Sequence, residues 1–164
     1  MSKPKVEMID PRDTGLRTFA LKKPIFDSGA VARADEALEA MGDELQVWLH
    51  ADIERLQSAR VRADAAKWTA LSQEDVHAIA HDLKGLGATY GSLLATQIAG
   101  SLCRLIETDA GKALAQRDPS LACAHIDALR ASVRDGINST DSRIGRAVLR
   151  ALETRVAELG VAPR

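Results

Sequence analysis

The sequence predicts an all-α protein, an up-and-down antiparallel four-helix bundle with additional flanking helices at its N- and C-terminal ends. Two observations predict it. Apolar residues recur at spacings of three and four along most of the chain, the period of an amphipathic helix. Aromatic residues make up only 3% of the chain, and no convincing strand pattern of alternating apolar and polar residues occurs. Because the connections between the helical segments are short, neighbouring helices are expected to run antiparallel.

The first 27 residues are predicted to form an N-terminal arm ahead of one helical domain, residues 28–164. Prolines at positions 4, 11 and 24, together with Gly15, interrupt any helix in this arm. Its apolar residues nevertheless distinguish it from a purely disordered segment. Two interpretations stay open, a frayed terminus and an extended arm laid across the bundle.

The first helical pattern is long and divides at a glycine. Asp27 or Ser28 can cap a helix, and Gly42 separates a short piece, about 29–41, from a longer one, about 43–62. In the connection that follows, Trp68 and Leu71 are expected to cover one end of the bundle.

The next helix is predicted over about 72–90, starting at Ser72 with Asp75 three residues later, a variant of the capping box. At about 100° per residue, its apolar residues fall on the side opposite His81. They are Val76, Ile79, Leu83, Leu86 and Tyr90. His81 is therefore expected to lie in solvent.

Three further helices complete the prediction. One covers about 92–108, with Gly111 ending the region; whether Gly91 and Ser92 form a turn, a bend or a continuous helix boundary stays open. Asp118 before Pro119 opens a helix over about 119–136, and the last helix covers about 142–159. The expected inner residues are Leu94, Ile98, Leu102, Leu105 and Ile106 in the first, Ala122, Ile126, Leu129 and Val133 in the second, and Ile144, Val148, Leu152, Val156 and Leu159 in the last.

The residues around His81 suit a phosphoryl acceptor. Lys84 and Gly85 follow it by three and four residues, the spacings at which side chains on a helix are neighbours. The lysine can pair with phosphoryl oxygens. Glycine costs a helix interior roughly 0.5–1 kcal/mol relative to alanine, so its presence on an exposed face indicates that another protein must approach the ring.

The run Ala80–Gly85, followed by Gly91 and Leu94, resembles the signature of histidine phosphotransfer (HPt) domains of multistep two-component phosphorelays. The resemblance covers about residues 31–136 and implies the same four-helix bundle, with His81 as the phosphoacceptor and Lys84 stabilising the phosphoryl group. The residues expected to dock a partner are His77, Ala78, Gly85 and Ala88. The implied partners are receiver domains of response regulators and hybrid histidine kinases, which would supply the Mg²⁺.

Other interpretations of the histidines are weaker. Glu74, His77 and His81 lie on one helical face, but ligands on a convex surface leave the coordination of a metal incomplete, so no metal site is predicted. His50 and His125 lack a lysine and a glycine at the corresponding spacings. A helical adaptor or inhibitor that binds a kinase or a receiver without being phosphorylated is the alternative function, and the retained His81 argues against it.

Composition limits the partners and the chemistry. The formal net charge of -1 predicts no binding to nucleic acid or to an anionic membrane. No apolar run approaches the length of a signal peptide core or a membrane span, which predicts a cytoplasmic protein. Cys103 and Cys123 are interpreted as small buried residues, a disulfide being the weaker alternative. The chain has no nucleotide-binding loop, so neither intrinsic kinase activity nor an intrinsic cofactor is expected.

Overall fold

The computed structural model describes residues 28–160, so the predicted arm, 1–27, and residues 161–164 lie outside the described part. The described residues contain seven helices and no strand, which confirms the all-α prediction. The helices are α1 (Ser28–Ala40), α2 (Gly42–Ala65), α3 (Ala70–Leu86), α4 (Leu93–Glu107), α5 (Asp109–Arg117), α6 (Ser120–Arg134) and α7 (Arg143–Ala157).

The chain divides into two units after Ala40, and the break predicted at Gly42 is confirmed. In the first unit, α1 is exposed at most of its described side chains, including Val31. The second unit begins at Met41 and contains α2–α7.

Helix α4 is central to the second unit, because it contacts α3, α5, α6 and α7. Ser92 begins it, the Oγ accepting a hydrogen bond from the backbone N–H of Ala95 at 3.2 Å. Helix α2 packs against both α3 and α6. The core includes every inner residue predicted for α4 and α6, which are Leu94, Ile98, Leu102, Leu105, Ile106, Ala122, Ile126, Leu129 and Val133. Of those predicted for α7, Leu152 and Val156 are buried, Val148 and Leu159 are half-buried, and Ile144 is 61% exposed.

The predicted start of the histidine helix was wrong. Ser72 is the third residue of α3 and is buried, and its Oγ donates to the carbonyl oxygen of Thr69 at 2.9 Å. It therefore caps no backbone N–H at the start of the helix, which begins at Ala70. The predicted inner stripe is confirmed for Val76, Leu83 and Tyr90, whereas Ile79 is only half-buried and Leu86 is 42% exposed.

The connection between α2 and α3 is anchored by Trp68. Its side chain is 2% exposed, and its Nε1 donates to Asp64 Oδ1 at 2.7 Å. Lys67 and Trp68 both have a positive φ, 54° and 51°, a turn that points the indole inward. Leu71 is 73% exposed, so the prediction that it covers an end of the core was wrong.

Residues 87–91 form a turn between α3 and α4, so α3 ends at Leu86, before the predicted end near residue 90, and the boundary that the sequence left open is a turn. Gly91 has a φ of +79°, a left-handed conformation that glycine adopts without a steric penalty. At Gly87 the two helices come close together: a Cβ there would lie 2.7 Å from Thr96 Oγ1 and 2.9 Å from Thr96 N. Gly87 is therefore needed for packing.

Helix α5 was not predicted, because Gly111 was interpreted as a terminator. Gly111 lies inside α5, and its N–H donates to the capping Thr108 Oγ1 at 3.1 Å. A Cβ on Gly111 would overlap the carbonyl oxygen of Leu105, so this glycine permits a close helix contact. Helix α6 begins one residue later than predicted, and Asp118 Oδ1 accepts from the N–H of Ser120 at 3.1 Å.

A buried histidine connects α4 to α6. His125 is 0% exposed; its Nδ1 lies 2.7 Å from the carbonyl oxygen of Leu121 and its Nε2 lies 3.0 Å from Ser101 Oγ. Nδ1 must donate to the carbonyl, so Nε2 of the neutral ring is left to accept from the serine hydroxyl. Burial lowers the pKa of His125.

This histidine predicts a loss of stability in acid. The folded protein disfavours the protonated form of His125. The contribution of this residue to the free energy of unfolding is therefore fully present above the unfolded-state pKa of 6.5, and it is lost as the pH falls from there towards the lower folded-state pKa. We expect the thermal midpoint of wild type to fall over this range and that of His125→Gln to fall less. Exposed His50 is the control: His50→Gln should keep the wild-type pH profile, and an equally steep profile for His125→Gln would contradict the assignment.

Candidate functional site

The exposed face of α3 and the turn that follows it carry the predicted site. His81, Ala78, Gly85 and Ala88 are exposed and His77 is half-buried; we call these five residues the His81 face. The face is opposite Val76 and Leu83, which are 0% exposed, so packing of the apolar stripe orients it towards solvent. Apart from the two imidazoles, its side chains are no larger than a methyl group. These residues therefore leave the His81 ring accessible, with the longer exposed side chains of Glu74 and Lys84 beside them.

The two glycines near His81 have different surroundings. A Cβ on Gly85 would meet no heavy atom within 4 Å, whereas one on Gly87 would meet atoms of α4. Packing within the described chain therefore gives no reason for glycine at position 85. The sequence pattern singled out Gly85 but not Gly87, because the contact at Gly87 comes from another helix.

Lys84 lies against α4. A Cβ on Gly100 would be 3.8 Å from Lys84 Cγ and 3.9 Å from Lys84 Cδ, so the missing side chain at position 100 makes room for the lysine stem. Packing of the stem removes part of the rotamer entropy, up to about 2 kcal/mol for a lysine, that binding an anion would otherwise cost. The side chain as a whole stays exposed, one turn from His81.

The opposite flank of His81 also contacts α4. His77 Nε2 lies 3.1 Å from Glu107 Oε1, and the His77 and His81 rings are 6.1 Å apart between centroids, tilted by 39°. The hydrogen bond holds His77 beside His81 without enclosing it. Below this surface, burial raises the pKa of the Cys103 thiol to about 11, so that the thiol is a poor nucleophile at neutral pH.

No group of three or more His, Cys, Asp or Glu residues within 28–160 is arranged to hold a metal ion. Glu74, His77 and His81 therefore form no such group. Cys103 and Cys123 are both free thiols; Cys103 is buried as predicted, whereas Cys123 is only half-buried. Among the described helices, none combines the length and the apolar character needed to cross a membrane.

One cation near the site was missed by sequence reasoning. Arg104 NH1 would lie 3.9 Å from a Cβ on Gly100, the same point that the Lys84 stem approaches, and Arg104 NH2 pairs with Glu153 Oε1 of α7. An arginine near the end of an amphipathic helix is an ordinary surface residue by pattern. Its proximity to Lys84 and its ion pair across 49 residues of sequence arise only when α3, α4 and α7 pack together.

The chain matches no family model, no curated protein and no solved structure.

Proposed function

We propose that this protein is a phosphorelay intermediate that accepts a phosphoryl group on His81 from a receiver-domain aspartate and passes it to another receiver. One observation carries the proposal: His81 is exposed, Lys84 stands one turn further along the same helix, and the position of a Cβ on Gly85 is in open space. These are the features that the resemblance to HPt domains requires of the phosphoacceptor, the cation and the docking surface.

The proposal includes the finer architecture. Helices α2, α3, α4 and α6 are the four helices of an up-and-down antiparallel bundle, with α1 and α7 as the flanking helices and α5 in the connection between α4 and α6. Its support is the order of contacts: α2 contacts α3 and α6, and α4 contacts α3 and α6, so each of the four packs against two others.

The transfer proceeds by in-line displacement at phosphorus. An unprotonated ring nitrogen of neutral His81 attacks the aspartyl phosphate; an N–P bond forms, the P–O bond breaks, and the aspartate leaves as a carboxylate. The other ring nitrogen then loses its proton to solvent, and the reverse sequence delivers the phosphoryl group to a second receiver. Because such transfer depends mainly on positioning and electrostatic stabilisation, this side of the complex contributes an exposed nucleophile beside the Lys84 ammonium.

The partners are receiver domains of response regulators and hybrid histidine kinases, in the cytoplasm. The His81 face, formed by His77, Ala78, His81, Gly85 and Ala88, is the proposed docking surface. The receiver supplies the Mg²⁺ and the phosphoryl group, since this chain has no nucleotide-binding loop to use ATP itself.

Incubation with a phosphorylated receiver tests the proposal. We expect transfer of an acid-labile, base-stable phosphate to this protein, which identifies phosphohistidine, and its onward transfer to a second, unphosphorylated receiver. Binding of the receiver without any phosphate transfer would instead support a non-phosphorylated adaptor.

A further inference from the structure

Helices α3 and α4 run antiparallel, with His81 at the level of Arg104. Three contacts establish the register: Gly87 approaches Thr96, Lys84 lies against Gly100, and His77 pairs with Glu107. Moving towards the N-terminus of α3 thus corresponds to moving towards the C-terminus of α4. Since His81 lies about midway between Lys84 and His77, its counterpart on α4 is the turn containing Cys103 and Arg104.

The Arg104 guanidinium lies at the edge of the same surface as Lys84. Its side chain is 16% exposed, and NH1 reaches back towards Gly100, where the lysine stem packs. The two cations also act on one neighbouring group: the charges of Lys84 and Arg104 both lower the pKa of the Cys103 thiol, against the larger effect of its burial, which raises it. Two positive charges, Lys84 of α3 and Arg104 of α4, therefore lie near the level of His81.

The present hydrogen bonding of Arg104 is incomplete. NH2 is paired with Glu153 of α7, but the buried Nε has no hydrogen-bond partner. A buried donor without an acceptor costs about 1–3 kcal/mol, more when the group is charged. A second anion that offers several oxygens would satisfy this guanidinium better than one carboxylate alone, because the planar fork of arginine suits bidentate contacts.

We propose that Arg104 is a second phosphoryl-binding residue, which donates to the phosphoryl oxygens on His81 while Glu153 competes for the same guanidinium. This inference rests on the proposed phosphorylation of His81. Glu153 keeps Arg104 neutralised while His81 is unmodified, and the arriving phosphoryl group, with three oxygens and up to two negative charges, draws the guanidinium away. Through this exchange α7 senses the phosphorylation state of α3.

The experiment measures the ionisation of the phosphoryl group itself, so it needs no receiver. The full-length protein is phosphorylated with phosphoramidate, and the phosphoryl pKa is read by ³¹P NMR titration. A nearby cation favours the more charged form, so Arg104→Gln should raise this pKa by about one unit and Glu153→Gln should lower it. Arg155→Gln is the control, because Arg155 pairs with Glu158 on the exposed surface of α7 and should leave the phosphoryl pKa as in wild type.

The outcomes separate this inference from the proposed function. Absence of phosphohistidine in wild type would overturn the proposed function. Phosphohistidine with the same phosphoryl pKa in wild type and Arg104→Gln would overturn only the role of Arg104. If Arg104→Gln folds poorly, Glu153→Gln tests the same exchange of partners, because it retains the arginine. An unchanged or raised phosphoryl pKa in Glu153→Gln would contradict the role proposed for Arg104.

Discussion

His81→Gln is expected to abolish phosphoryl acceptance and to leave the fold intact. The substitution removes the only proposed nucleophile, and glutamine cannot form a phosphoramidate of comparable kind under the same conditions. Because His81 is exposed, the free energy of unfolding should change by no more than about 0.5 kcal/mol. Acid-labile phosphate and the thermal midpoint, measured on the same preparation, check both parts.

The matched control is His77→Gln. His77 lies four residues earlier on the same face and within 6.1 Å of His81, measured between ring centroids, so it is the nearest alternative nucleophile. The His77→Gln variant should still accept the phosphoryl group from phosphoramidate, because the proposed role of His77 is to dock a receiver domain. Wild-type acceptance by His81→Gln, or its loss in His77→Gln alone, would move the phosphoacceptor to His77.

The second large effect concerns two glycines two residues apart. Gly85→Gln should melt no lower than wild type, because a Cβ at this position meets open space and the loss of glycine reduces the entropy of the unfolded chain. The new side chain would stand one turn from His81 and obstruct a docking receiver. We therefore expect loss of receiver binding and of transfer from the receiver, with phosphorylation by phosphoramidate retained.

Gly87→Ala should show the opposite behaviour, a lower stability with receiver binding retained. Its Cβ would lie 2.9 Å from the backbone nitrogen of Thr96, so α3 and α4 must move apart at a cost of about 1–3 kcal/mol. Denaturant unfolding of both variants checks the contrast. Unfolding of Gly85→Gln together with wild-type stability of Gly87→Ala would reverse the roles assigned to the two glycines and move the docking surface off the His81 face.

Much of the fold follows from local periodicity. The inner faces of α4 and α6, and the solvent-facing position of His81, follow from counting 100° per residue, because each helix buries one face. Most of the misses lie near helix ends, including Leu86 and Ile144, which periodicity assigned to inner faces but which are 42% and 61% exposed. Ser72, Gly111 and Leu71 were interpreted from residue type and short sequence patterns, whereas the hydrogen bond of Ser72 to Thr69, the close contact of Gly111 with Leu105 and the exposure of Leu71 depend on how the ends of the helices pack.

The same distinction applies to the site. His81, Lys84 and Gly85 share one helix, so the spacing of the sequence brings them together without any knowledge of the tertiary structure. Gly100, Arg104 and Glu153 act from two other helices, and their spacing relative to His81 follows no helical period. Only the packed arrangement of α3, α4 and α7 relates them to the site.

The central position of α4 has a consequence for exchange of amide protons with solvent. Packed against α3, α5, α6 and α7, α4 can expose its N–H groups only when most of the second unit opens, so they should exchange last, with protection close to that of global unfolding. Helix α3, whose outer side carries the His81 face, packs on α4, the segment expected to exchange most slowly. A receiver would therefore meet a rigid surface, and protection of α4 should change little on docking even where the amides of the 87–91 turn become slower.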